Sequence, residues 1–334
     1  MNDFRVLALV VFVTLAFEFT NGWHDAASSI ATVVSTRVLR PLTAVAWAAF
    51  WNFVAAFAFG TAVAKTMGSG LVNLNYVTVY VILAGLLGAI LWNYATIRMG
   101  IPCSSSHALM GGYGGAALAA AGTRAITISG WILPVIFIFI APVIGLAAGA
   151  FTTIVTSWIV RRAHPRNVDK WFRRLQLVSA AAFSFGHGTS DAQKGMGIIT
   201  AALVTGRMLP TYEVPYWVII CCHLALAGGT MAGGWRVVKT MGQKITKLTP
   251  FGGFAAETSA ALTLIATAHA GIPVSTTHVI TGAIAGVGSV RRLTAVRWGV
   301  TRRIVWAWIF TIPGAGLVGA FFYYLMLHFS GASR

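Results

Sequence analysis

Apolar stretches separated by short polar or glycine- and proline-bearing breaks run the length of the chain. Ten are read, at roughly 4–21, 42–62, 76–97, 103–121, 130–160, 174–187, 214–235, 251–269, 273–289 and 303–327. A helix needs about 20 apolar residues to cross a hydrocarbon core, and these runs are taken as crossings. Several are dense in glycine, which suits close helix contact in lipid. The pattern predicts an all-α polytopic membrane protein. The stretch 4–21 has the apolar character of a signal peptide. It lacks a small-residue cleavage site and leads straight into a polar phrase, so it is read as mature sequence.

Composition narrows this further. Of 334 residues, 57% are hydrophobic and 9% charged, which excludes an ordinary soluble domain. The net charge of +17 would suggest nucleic acid in a soluble protein. Here Lys and Arg gather in Arg161–Arg174, Arg236–Lys247 and Arg291–Arg303, as cytoplasmic loops do, so no nucleic acid is expected. Placing all three inside puts five crossings in each half and both termini outside the cell (inner) membrane. Lys65, Arg124 and Arg207 are then exceptions. Odd halves are oppositely oriented, so the expectation is two inverted five-crossing repeats, 1–160 and 175–334, joined by a basic cytoplasmic loop at 161–174. Cys103, Cys221 and Cys222 lack metal-ligand spacing and are read as packing residues.

Two polar phrases occur twice, in the same order. Phe19-Thr20-Asn21-Gly22-Trp23-His24-Asp25-Ala26 matches Phe185-Gly186-His187-Gly188-Thr189-Ser190-Asp191-Ala192, with Phe, Gly, Asp and Ala in register. Ile101-Pro102-Cys103-Ser104-Ser105-Ser106-His107 matches Ile272-Pro273-Val274-Ser275-Thr276-Thr277-His278. The Asp residues stand 166 apart and the closing His residues 171 apart. Paired halves with Gly- or Pro-interrupted apolar segments point to a transporter whose site lies between the halves.

Only seven acids are present, and Glu18, Asp25, Asp191 and Glu257 fall in or at the edge of apolar runs. An ionised carboxylate at the bilayer centre costs roughly 2.5–3.5 kcal/mol, so it is paired, hydrated or functional. Asn21-Gly22 and Gly186-His187-Gly188 are expected to interrupt their helices and free backbone groups for ions. Asp25 and Asp191 are assigned to the coupling cation, with Asn21, Ser190 and Glu257 beside them. Their oxygen chemistry suits Na⁺ or a proton; a firm metal site is not assigned and no cofactor is expected. Pro102 and Pro273 end one helix and open the next. Ser104, Ser105 and Ser106, and Ser275, Thr276 and Thr277, then place hydroxyls and free N–H groups at helix starts, a cradle for a small oxyanion. His24, His107, His278, Gln193 and Lys194 are placed in supporting positions.

Acids beside an anion supply a reason for coupling. Repulsion between one carboxylate and an anion at about 6 Å is about 3 kcal/mol at an effective dielectric near 20. A cation or proton on the acid removes it, so anion and cation bind together, as symport requires.

The four phrases resemble those of the inorganic phosphate transporter (PiT) family, in order and across essentially the whole chain. They are Asn21–Asp25, Gly188–Gly195, Pro102–His107 and Pro273–His278. The resemblance implies inverted repeats with broken or re-entrant helices and a secondary active transporter importing inorganic phosphate with H⁺ or Na⁺. By it, Asp25 and Asp191 are cation-linked acids and the two hydroxyl trios are phosphate contacts. Ser190 stands where the family often has an amide, and His24 at the matching place of the first copy. Three other readings stay open: a sulfate permease on the same scaffold, a passive anion pore, and a membrane metal enzyme using His24, Asp25, His187 and Asp191. An acceptor such as Asp25 or Glu257 near the anion favours phosphate, which carries a proton that sulfate lacks. Membrane lipid is an expected partner, and a homo-oligomer is left open.

Overall fold

Twelve helices make up nearly all of the computed structural model, which describes residues 3–58 and 60–330. The termini themselves, 1–2 and 331–334, fall outside it. Among the described residues the sole extended pairing is a bridge between Val72 and Ile126. The helices come in a matched order. α1 (Asp3–Ser35) and α7 (Pro165–Thr205) are the long motif helices. Each is followed by a bent pair: α2 (Pro41–Val54) with α3 (Ala62–Lys65) and a π turn, and α8 (Tyr216–Ala232) with α9 (Trp235–Gln243). The bends are 86° and 74°. Then come α4 (Val79–Met99) and α10 (Pro250–His269), the short α5 (Ser105–Ala121) and α11 (Thr276–Arg291), and α6 (Ile128–Val160) and α12 (Trp298–Ser330).

Packing exchanges partners between the halves. α5 lies chiefly against α12, and α11 against α6. α6 and α12 form the outer wall, turning Phe139, Phe151, Phe310 and Leu317 outward, as a lipid-facing surface requires. α1 and α7 lie inside and run antiparallel. Glu18 meets Gly195 near one end of their contact, while Thr36 meets Gln176 and the Arg37 carbonyl meets Arg173 at the other.

The proline phrases break the chain as expected. α4 ends on Gly100 at φ +67°, and α10 is followed by Gly271 at φ +69°. Such left-handed positions favour glycine. Pro102 and Pro273 disfavour helical backbone at the residues before them, and the next helices begin where extended Ser104 and Ser275 cap α5 and α11.

Elsewhere the expectations need correction. Neither Asn21-Gly22 nor Gly186-His187-Gly188 interrupts a helix; α1 and α7 run straight through them. The glycines serve close approach instead. A Cβ on Gly22 would stand 2.0 Å from the Leu226 carbonyl oxygen, and one on Gly188 2.5 Å from that of Asn52. The run 174–187 is the middle of a 41-residue helix. The basic segment 161–174 is a loop only to His164, because Pro165 opens α7 and its charged first turns are solvated. Length and composition together mark fewer helices than the ten runs read. Among the described residues four helices (α1, α4, α6 and α12) are long and apolar enough to cross a membrane, or six with each bent pair as one span. α5 and α11 have 17 and 16 residues, about 25 Å of helix.

Basic segments collect at one end. Arg236 donates to the Arg98 carbonyl. One cavity is lined by Lys247, Arg291, Arg292 and Arg297, and another by Lys244 and Arg303. Gly242 of α9 lies against Ala31 and Ser35 at the same end of α1, whereas Gly206, next to Arg207, lies against Leu7 at the other.

Candidate functional site

The antiparallel contact of α1 and α7 brings the two motif acids together. Oxygen atoms of Asp25 and Asp191 and a ring nitrogen of His187 all lie within 4.8 Å of one another, and all three residues are buried. These two oxygen atoms and one nitrogen are close enough together to hold a cation.

The two acids have different neighbours. Asp25 Oδ1 is 2.9 Å from His24 Nδ1 and accepts the Thr277 hydroxyl at 3.2 Å. Thr277 in turn lies 3.2 Å from the Ser28 hydroxyl. Asp191 Oδ2 lies 2.7 Å from Lys194 Nζ and 3.3 Å from His187 Nε2, its neighbours one turn along α7. His187 is turned by Asn52, whose Oδ1 is 3.1 Å from Nδ1, and Asn52 donates to Thr230.

The tips of α5 and α11 close over this pair. His107 and His278, in the first turns of the two helices, meet edge to face at 4.8 Å. His278 also stacks on Trp308 at 3.8 Å, and Trp308 Nε1 donates to the Pro102 carbonyl. Within each hydroxyl trio the first member is occupied in capping: Ser104 accepts the His107 N–H and Ser275 the His278 N–H, both at 3.3 Å. This narrows the expected anion contacts. Ser105 and Ser106 are buried with hydroxyls that find no hydrogen-bond partner, as is Ser190. Buried polar atoms are normally paired, so these unmet hydroxyls, two at the α5 N-terminus and one on α7, fit an oxyanion. Thr276 is buried in the first turn of α11.

Other assigned residues sit elsewhere. Glu257 is not at the acid pair. It accepts the hydroxyls of Thr32 and Ser179, each at 2.5 Å, and the Gln176 amide at 3.1 Å. Thr32 is seven residues, about 10 Å of helix, beyond Asp25. Glu257 therefore joins α1, α7 and α10 and is no acceptor for an anion at the hydroxyl trios. Gln193 is turned away as well: its Oε1 accepts the N–H groups of Val63 and Ala64 at 2.8 and 3.1 Å, capping α3. Asn21, one turn before Asp25 on α1, donates its amide to Glu18 at 3.1 Å, and its Oδ1 is buried without a hydrogen-bond partner.

Three contacts had no assignment from the sequence. Glu18 accepts the Gly195 N–H at 2.6 Å, in the turn after Lys194. It was visible as an acid in an apolar run, but the matching place in the second copy is Ser184, so the duplication passed over it. Cys103, taken for packing, lies 3.4 Å from His24 Nε2 and 3.2 Å from the Thr96 hydroxyl. Asn52 carries no motif signal.

Residues 21–319 match the model of the phosphate transporter family. The chain belongs to that family. It is 52% identical over 322 residues to a probable low-affinity inorganic phosphate transporter of Rhizobium meliloti (strain 1021), covering 96% of each chain. A protein of the same description from Bacillus subtilis (strain 168) is 42% identical, over 95% of this chain and 96% of that one. Among solved structures, one described as the sodium-dependent phosphate transporter superposes with a TM-score of 0.86 at 25% identity, covering 96% of this chain and 99% of that one. These relatives are transporters and not enzymes. With its several spanning-capable helices, this member of the phosphate transporter family is a multi-pass membrane protein.

Proposed function

We propose that the chain imports inorganic phosphate across the cell membrane by symport with a monovalent cation, H⁺ or Na⁺. The observation that carries this is the Thr277–Asp25 hydrogen bond. It ties the acid of one repeat to the hydroxyl trio of the other, so the charge on Asp25 and the occupancy of the anion cradle act on each other. Phosphate beside Asp25 is repelled until a cation or proton arrives, and each ligand then favours the other. The described relatives support phosphate as the anion, and the sodium dependence named for the structural neighbour supports a cation partner. With Glu257 engaged elsewhere, Asp25 is the acceptor that distinguishes protonated phosphate from sulfate.

The antiparallel course of α1 and α7, which carry the same phrase, supports inverted repeats spanning 1–160 and 175–334. The gathering of basic residues at one end supports a cytoplasmic face there. Both termini then lie outside the inner membrane.

Uptake of labelled phosphate into proteoliposomes, with Na⁺ and pH gradients imposed separately and sulfate as competitor, tests the reading. Accumulation above the phosphate gradient, lost in Asp25→Asn, is the expected result. Flux that only equilibrates phosphate, or a cation dependence untouched by Asp25→Asn, overturns it.

A further inference from the structure

The two motif helices differ at one pair of equivalent positions. Three residues after the acid, α1 has Ser28 and α7 has Lys194. A residue at i+3 shares the face of residue i, so both side chains stand beside their acid. Ser28 is neutral and bonded to Thr277. Lys194 is fully buried, and its ammonium nitrogen is 2.7 Å from Asp191. Among the described residues the ion pair of Asp25 is with His24, an imidazole that is neutral unless protonated. Of two acids within 4.8 Å of each other, one carries a fixed positive charge from the chain itself and the other only imidazole and hydroxyl.

We propose that Lys194 is a tethered cation occupying the place at Asp191 that the first repeat leaves open at Asp25, so that the transporter takes its coupling ion at Asp25 alone. This rests on the symport reading above. An ammonium has the charge of an alkali ion and sits at salt-bridge distance from the carboxylate. It neutralises Asp191 as a bound ion would, which lowers repulsion toward an incoming anion. It cannot leave. A cation held in every state of the cycle has no differential binding between them, so it contributes nothing to the driving force. The transported charge per phosphate is thus set by a lysine outside the hydroxyl cradle, and removing it opens a second exchangeable site.

The test measures phosphate uptake by the full-length chain in proteoliposomes against Na⁺ concentration at fixed pH and against pH at fixed Na⁺. The order is read for whichever ion drives transport. Wild type and Lys194→Arg, which keeps the charge, are expected to show a Hill coefficient of about 1. Lys194→Asn is expected to approach about 2, with phosphate KM returning to within about threefold of wild type at saturating cation. If its turnover is lost, the dependence of its thermal unfolding midpoint on the concentration of the ion that drives wild-type transport reads the same order and should be about twice as steep. A wild-type order of 2 overturns the proposal. So does a Lys194→Asn variant that keeps an order of 1 while its phosphate KM rises at every cation concentration, which would make the lysine an anion attractor. Wild-type uptake with no cation dependence at all would instead defeat the symport reading.

Discussion

Thr277 donates its hydroxyl to the Asp25 carboxylate at 3.2 Å, although 252 positions separate them in the chain. Removing that donor leaves a buried carboxylate short of a partner, a loss of about 1–3 kcal/mol. Thr277→Val is therefore expected to weaken phosphate uptake by about tenfold or more and to flatten its cation dependence. Thr277→Ser, which keeps the hydroxyl, should stay within about threefold of wild type in the same uptake assay.

The members of the first hydroxyl trio separate by role. Ser104 caps α5, and loss of a cap costs about 1 kcal/mol, so Ser104→Ala should lower the melting midpoint by a few degrees. Ser105 and Ser106 have hydroxyls without protein partners. Alanine at either should leave the midpoint near wild type while raising phosphate KM about fivefold to thirtyfold. Uptake kinetics and thermal unfolding on the same preparations distinguish the two patterns.

Gln193 lies two residues from Asp191 yet caps α3 through Val63 and Ala64. Gln193→Ala leaves two N–H groups unpaired and is expected to destabilise the protein by about 1–3 kcal/mol. Cation order and phosphate KM should be unchanged in the fraction that remains folded, as measured by uptake below the unfolding transition.

Gly22 sits where a Cβ would fall 2.0 Å from the Leu226 carbonyl oxygen. Since backbone atoms cannot yield as a flexible side chain does, Gly22→Ala should separate α1 from α8 at a cost of about 1–3 kcal/mol. A lower melting midpoint in detergent is the expected readout, and a midpoint equal to wild type would contradict the contact.

Much of this arrangement was legible in the sequence because it is written twice. A proline followed by three hydroxyls has one local consequence, an end and a restart of helix, and both copies obey it. Duplicated acids in apolar runs likewise point to a shared centre, and Asp25 and Asp191 do meet. Glycine was the weak signal. The same residue loosens a helix in water and permits helix contact in lipid, and nothing local to Asn21-Gly22 or Gly186-His187-Gly188 says which applies. The deciding atoms are the carbonyls of Leu226 and Asn52, on other helices. Glu257 was misplaced for a related reason: its partners Thr32, Ser179 and Gln176 come from two helices whose antiparallel register fixes the position, and register is a property of the assembled halves. Glu18 and Cys103 lack counterparts in the other copy, so a reading built on repetition had no reason to select them.

The indole of Trp308 ties the two halves of the chain together. Its face lies on His278, at the start of α11, and its N–H holds the Pro102 carbonyl, just before α5. Pulling the two helix tips apart would have to sever one of those contacts. The hydroxyl clusters are in effect clamped to a common post on α12, so rocking that exposes the cargo first to one side of the membrane and then to the other would carry both tips as a single jaw, with the long crossed pair α1 and α7 as the opposing surface.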